Sequence, residues 1–486
     1  MNFRLLSTPA FRILIGAFLL ISATAFAQSR DAKQNPNPCN INQEEADGLS
    51  RDLSVDVNAV RTYIDTVSKM LHQQRFDQLD CIADRARTNK EQFPGGMRKI
   101  HELYKGLYAP EPGRHATGDD WQDLLRLLQD WVETHAKSAT ARVALASAWI
   151  AYAGEARGNG NSDTVSGSGW KLYEERTAQA ERILDQASTL PVQCPEWYVV
   201  MLNVAQNQSW DLNRLRALFD KAMAFDPGYY YYGRGMAMLL EPKWFGKPGD
   251  TEKFLREVAD HIGGEKGDAF YFQVASSKDV LCGCQDQPHL SLERIERGYE
   301  AVEKQYGVSM LNLNRLAYLT LYAGTADLIL ANKAFTRIGM QWDEDTWDQK
   351  NFERTKSWTT QMLPFALTNK TREEEAKANL QTPEGARYQA VFEKAYKQML
   401  RECSQRDGSG VSQWEGTFES VIRVGANGAA EDGGINSMGP IVMCMNKKMR
   451  ASHDEHSPLF PVPPKGSYWV KIDLDWAEFA PVSAAK

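Results

Sequence analysis

The pattern that most constrains this chain is a recurring helical one. Val60, Ile64, Val67 and Leu71 follow at intervals of four, three and four, which places them on one face of a helix. Gln74-Arg75 interrupts that face. Phe76, Leu79, Ile82, Ala83 and Ala86 then form a second amphipathic face. Two such helices across a short break make a hairpin, and each leaves an apolar stripe that another helix must cover.

The arrangement repeats. Ser138 is a good N-cap for an alanine-rich helix from Ala139 to Arg157, and its small side chains allow close helix–helix approach. A Gly/Ser/Asn segment, Gly158 to Gly169, links it to a helix carrying Tyr173, Thr177, Ala180, Leu184 and Ala187 on one side. Pro195 opens the next helix, from Trp197 to Gln206. Asp211 caps another, with Leu215, Leu218, Ala222 and Phe225 on one face and a stop at Asp226-Pro227. Ile295, Tyr299, Val302 and Tyr306 mark a helix that Gly307 ends. Leu311 to Tyr322 and Ala326 to Ile338 make a last pair around Gly324. The expected class is therefore mainly α, with stacked helical hairpins over residues 51–360. An irregular helical domain without a solenoid axis is the plainer alternative.

Beyond residue 360 the grammar changes. Residues 361–384 read as a linker, and a helix is expected from Tyr388 to Cys403. Trp414 to Val424 is a strand, Gly425-Ala426-Asn427-Gly428 a hairpin turn, and Ala429 to Ile435 a returning strand. Pro440 to Met449 reads as a short helix. After Phe460-Pro461-Val462-Pro463-Pro464, the alternation of Tyr468, Val470, Ile472 and Leu474 with polar neighbours gives a half-buried final strand. The order α-β-β-α-β defines a small α+β domain over 385–482.

The amino terminus sets the compartment. Arg4 and Arg12 precede the apolar run Ile13 to Ile21, and Ala25-Phe26-Ala27 supplies a cleavage site, which is the layout of a secretory signal peptide over residues 1–27. The chain is expected to be exported, periplasmic or secreted, with residues 28–50 as a flexible linker. Net charge is −7, and an acidic chain argues against nucleic acid or an anionic membrane as main partner. After cleavage no apolar run is long enough to span a bilayer.

The sequence has no G-x-S-x-G, no H-E-x-x-H and no phosphate-binding glycine loop. Cys282-Gly283-Cys284 with His289 lacks the usual zinc spacing. One of these two cysteines is instead expected to pair with Cys194 or Cys81. His453-Asp454-Glu455-His456 has its histidines three apart and reads as a solvated polar loop. No metal, cofactor or catalytic residue is assigned. Acidic clusters such as Asp119-Asp120 and Asp343-Glu344-Asp345 read as solvated faces.

Ala217 to Pro227, and Ala331 to Ile338, look like second helices of tetratricopeptide repeats, although the spacing is too irregular for a strict array. Four further stretches carry a wider resemblance. They are Phe76-Asp77-Gln78-Leu79-Asp80, the Ser138 to Gly158 helix, Pro195-Glu196-Trp197-Tyr198, and Pro242-Lys243-Trp244-Phe245-Gly246 with Gly249-Asp250. Through them Asp56 to Trp358 resembles a bacterial secreted family known as domain of unknown function 4034, which implies a tetratricopeptide-like fold and no activity. The hairpin Phe418 to Ile435, Cys444 and the proline run before the last strand are similar to the TonB C-terminal fold. That resemblance implies an edge strand able to pair with a partner strand. The long proline-rich spacer of TonB is missing. Within this domain a Cys403–Cys444 disulfide is expected, closing a loop worth about 3–4 kcal/mol.

One surface stands out for binding. In Tyr229-Tyr230-Tyr231-Tyr232, not every ring can face the core of a single helix, so at least one is expected at the surface. Tyr229, Tyr231, Arg234 and Trp244 are the candidate contact residues, of the types enriched at interface hot spots. Packing between helices is the competing explanation for the same residues. The expectation is an envelope interaction or scaffold protein that binds an unidentified protein or peptide. An envelope hydrolase using scattered carboxylates is the alternative.

Overall fold

A computed structural model describes residues 39–110, 116–158, 160–277, 290–322, 327–406, 417–435 and 440–475. The signal segment and the Cys282-Gly283-Cys284/His289 cluster lie outside them. The described chain is mainly helical with one small antiparallel sheet, and divides into two compact units. One unit comprises residues 1–288 and 294–312; the other comprises 289–293 and 313–486.

The first unit begins with α1 (Gln43–Leu49), α2 (Ala59–His72), α3 (Phe76–Thr88) and α4 (Lys99–Lys105). Residues 39–50 are not a linker. Asn42 and Glu45 form a reciprocal capping box on α1, and Cys39 is disulfide-bonded to Cys81 of α3. Next come α5 (Gly118–Thr134), α6 (Ala139–Arg157) and α7 (Gly167–Ser188). Ser138 Oγ accepts from Ala141 N–H at 2.9 Å and starts α6 as its sequence demands. The alanines at 139, 141, 144, 146 and 148 are all buried, and α6 packs along α7. The unit continues through α8 (Pro195–Asn207), α9 (Leu212–Phe225), α10 (Tyr231–Leu239), α11 (Asp250–Ile262), α12 (Gly264–Ala275) and α13 (Leu292–Tyr306). Asp211 caps α9 by accepting from Asn213 and Arg214, each at 3.0 Å.

The second unit holds most of α14 (Met310–Tyr322), then α15 (Leu328–Ile338), α16 (Gln349–Leu380), α17 (Pro383–Arg406), β1 (Thr417–Val424), β2 (Ala430–Ile435), α18 (Pro440–Glu455) and β3 (Tyr468–Asp475). The expected linker over 361–384 is a helix: α16 runs for 32 residues with Pro364 inside it. Proline loses one backbone hydrogen bond there, and helix-forming residues on both sides carry α16 through. Because α16 packs on α15 at one end and on β3 and β1 at the other, the helices after residue 313 cluster with the sheet. His453 to Glu455 also depart from expectation, lying in the last turn of α18 rather than in a loop.

The sheet order is β2-β1-β3, antiparallel throughout, with Ile422 opposite Val470 and Ser420 opposite Ile472. The β1–β2 turn needs Gly428: its φ is +85°, and a Cβ would lie 2.3 Å from the Phe460 carbonyl oxygen. Ile422, Val424, Val470, Ile472 and Leu474 pack against Phe392, Tyr396, Met399 and Leu400 of α17 and Met445 of α18. A Cys403–Cys444 disulfide ties α17 to α18.

Candidate functional site

The densest polar constellation is inside the first unit, between α4, α8 and the turn into α10. Glu196 stands in the first turn of α8, behind Pro195 at N1, and is buried. Its carboxylate takes Nδ1 of His101 at 2.9 and 3.1 Å and accepts from the Tyr229 hydroxyl at 2.6 Å. The imidazole stacks on Tyr231, with ring centroids 3.6 Å apart. Glu102, fully buried on α4, accepts from the Tyr231 hydroxyl at 3.4 Å and pairs with Lys105 at 3.0 Å. At the near end of α4, buried Arg98 pairs with Asp226, which also takes Lys90 at 3.0 Å. Buried charges survive only when paired in this way.

Burial pushes the phenols of Tyr229 and Tyr231 well above the ordinary range, and nearby Glu196 and Tyr230, respectively, add to the effect. Both therefore stay protonated and serve as donors. A carboxylate that fixes Nδ1 of an imidazole is the orienting half of a general-base arrangement. Among the described residues, however, this network is spent on joining three helical elements. Its members come from positions as far apart as 90 and 231, so no short motif announced them. The one local signal was an acid directly after Pro195 at the start of an otherwise apolar helix.

The binding surface expected at the four tyrosines is not a surface. Tyr229, Tyr230, Tyr231 and Tyr232 are all buried, at 0–3% exposure. The expectation assumed one continuous helix, but α10 begins only at Tyr231. Tyr229 and Tyr230 sit in the turn after Asp226, so the four side chains are free of a single helical face. Tyr229 reaches Glu196, Tyr230 stacks on Tyr231, and Tyr232 meets Tyr198. Arg234 lies over the Tyr230 ring and donates to the Gln273 carbonyl at 2.9 Å. Trp244 alone among the candidates is exposed, at 39%.

The expected pairing of Cys282 or Cys284 with Cys81 or Cys194 also fails on the described partners. Cys81 is bonded to Cys39, and Cys194 is a buried thiol held 3.2 Å from the Tyr104 hydroxyl. Among the described residues no group of three or more His, Cys, Asp and Glu could hold a metal ion.

One run of exposed apolar side chains lies on α16. Phe352, Thr355 and Thr359 are buried near its start, and Ala376 near its end. Trp358, beside Thr359, and Phe365 and Leu367 beyond it stand 46%, 66% and 48% exposed. Beyond that stretch Asn379 donates to the Trp469 carbonyl at 3.1 Å, and Gln389 of α17 to that of Lys471 at 2.7 Å. These alternate carbonyls of β3 are thus taken by side-chain amides. Among the described residues no helix is long and apolar enough to cross a membrane. Comparison of the chain with protein-family models, curated proteins and solved structures finds no match.

Proposed function

We propose that this is an exported, non-catalytic interaction protein of the cell envelope that binds a protein or peptide partner. The observation that carries the reading is the stretch Trp358–Leu367: large apolar side chains left in solvent along a helix whose two ends are packed. Trp358 and Phe365, seven positions apart, lie on one face of the helix, and exposed apolar surface of this kind marks interaction sites. Two disulfides among the described residues fit an oxidising compartment. The tetratricopeptide-like and TonB-like resemblances agree with a binding role. Strand pairing then falls to β2, the other edge of the sheet, beyond Ala430, whose N–H already donates to Ser452 Oγ at 3.1 Å. The hydrolase reading gains no comparable support. Asp80 and Glu373, the carboxyls that burial raises, belong to different units, and each has partners of its own.

In-cell crosslinking of the full chain against Phe365→Glu tests this. The expected result is one crosslinked partner, captured by the parent chain and lost in the variant, with the melting temperature unchanged because residue 365 is exposed. Equal capture by both chains, or none by the parent at native abundance, overturns the reading.

A further inference from the structure

We propose that the cavity between α6, α7 and α8 is a binding pocket for one small uncharged apolar group, the size of an aromatic ring or a branched aliphatic chain. Its volume is about 90 Å³. Ala139 and Val143 of α6, Ala187 of α7, and Trp197 and Tyr198 of α8 form its walls, and Cys194 is the buried thiol among them. Ser188, Val192 and Gln193 are exposed and form its mouth, with Val192 at 46%.

Three features fix the ligand class. The first is size. Apolar cavities of roughly 150 Å³ stay dry and take up benzene or xenon, whereas sites for drug-sized molecules start near 300 Å³. This cavity falls in the former range, too small for a nucleotide or a disaccharide. The second is charge: no lining residue is charged. The third is that three of the polar groups around it are already engaged, while the Gln193 amide lies at the exposed mouth. Trp197 Nε1 donates to the Leu184 carbonyl at 2.8 Å, Ser188 Oγ to that of Asp185 at 2.6 Å, and the Cys194 thiol is paired with Tyr104. A ligand that demanded hydrogen bonds would find these groups taken, and one that brings only carbon surface loses nothing. Burial also raises the Cys194 thiol, with Arg87 and Tyr104 opposing that shift, so it is a slow nucleophile whose alkylation reports on access through the cavity.

Fluorobenzene is the probe, used with the full chain. Its ¹⁹F resonance is expected to broaden with the parent protein and to stay sharp with Val192→Trp or Ser188→Phe, which fill the mouth from its two sides at exposed positions. Near-ultraviolet circular dichroism confirms that each variant is folded, and either one suffices. At ten times its dissociation constant, fluorobenzene is expected to slow iodoacetamide alkylation of Cys194 about tenfold, by the factor 1 + [L]/Kd. Should the thiol resist alkylation altogether, the fluorine spectrum decides alone. Displacement of fluorobenzene by N-acetylphenylalaninamide would identify the natural group as a peptide side chain; binding without displacement would identify it as a free hydrophobe. Equal line widths for parent and filled variants, or alkylation indifferent to fluorobenzene, overturn the proposal.

Discussion

The two units treat aromatic side chains in opposite ways. The first gathers Tyr229 to Tyr232 into its interior and surrounds them with Glu196, Glu102, Asp226, Arg98 and His101. The second leaves Trp358 and Phe365 in solvent on a long helix and packs its buried aromatics in apolar clusters, Phe392 and Tyr396 against the sheet and Phe335, Trp347 and Phe352 against one another. The contrast shows that an aromatic run in sequence says nothing about exposure until its place relative to a turn is known. In the first unit, polar groups sit deep and determine which helices meet. In the second, the core beneath the sheet is apolar, and a disulfide ties the two helices that cover it.

If that is right, the largest effect comes from breaking the polar interior. Glu196→Ala strands the buried Tyr229 hydroxyl and unpairs His101, and is expected to cost about 3 kcal/mol of unfolding free energy. Urea denaturation followed by tyrosine and tryptophan fluorescence measures it. Glu196→Gln keeps an acceptor in place and should lose clearly less. A Glu196→Ala loss under about 1 kcal/mol, the scale of an ordinary substitution, would mean that the network does not hold the unit together.

Close behind is the cross-link of the second unit. Cys403→Ser with Cys444→Ser opens a loop whose ends are separated by 41 positions, at an expected cost of about 3–4 kcal/mol in the chain-entropy picture. The sheet should melt first, while the first unit keeps its Cys39–Cys81 bond. Hydrogen exchange resolved by peptide distinguishes the two: faster exchange confined to 385–475 is the expected result. Uniform acceleration over both units would erase the division between them.

Much of this architecture was legible in the sequence because local chemistry decides it. Ser138, Asp211 and Pro195 mark helix starts, the interval pattern from Val60 to Leu71 marks a buried face, and the alternation from Tyr468 to Leu474 marks a strand. Where local signals conflict, the sequence misleads. Residues 361–384 read as a linker, yet α16 runs through Pro364 to Leu380, carried by the residues around it and by packing at both ends. Residues 28–50 read as a linker, yet a capping box and the Cys39–Cys81 bond order the chain from Cys39 onward. The polar network was illegible for a different reason. Lys90, Arg98, His101, Glu196 and Asp226 are ordinary helix and turn residues taken singly, and only tertiary packing makes them a set.

The smallest expected effect compares the two carboxyls that burial raises. Asp80 sits beneath the start of α6, where it accepts from Ser138 Oγ and from Trp131 Nε1 at 3.2 Å; desolvation lifts its carboxyl, and these neutral donors only partly oppose it. Glu373 on α16 is likewise lifted by desolvation, but the nearby Lys471 ammonium pulls it back. In both cases the folded state holds its proton more tightly than the unfolded chain does. Each acid therefore contributes a stability that is full below the unfolded carboxyl range near 4 and declines as pH rises through the folded value. Asp80→Asn removes that decline and should flatten the pH dependence of the urea midpoint between pH 4 and 7. Glu373→Gln should flatten it less, because Glu373 is nearer to solvent and has a cation beside it. Parallel curves for parent and Asp80→Asn would show that the carboxyl beneath α6 is solvated in the folded protein. The first unit would then bury its polar groups less completely than its contacts with Ser138 and Trp131 imply.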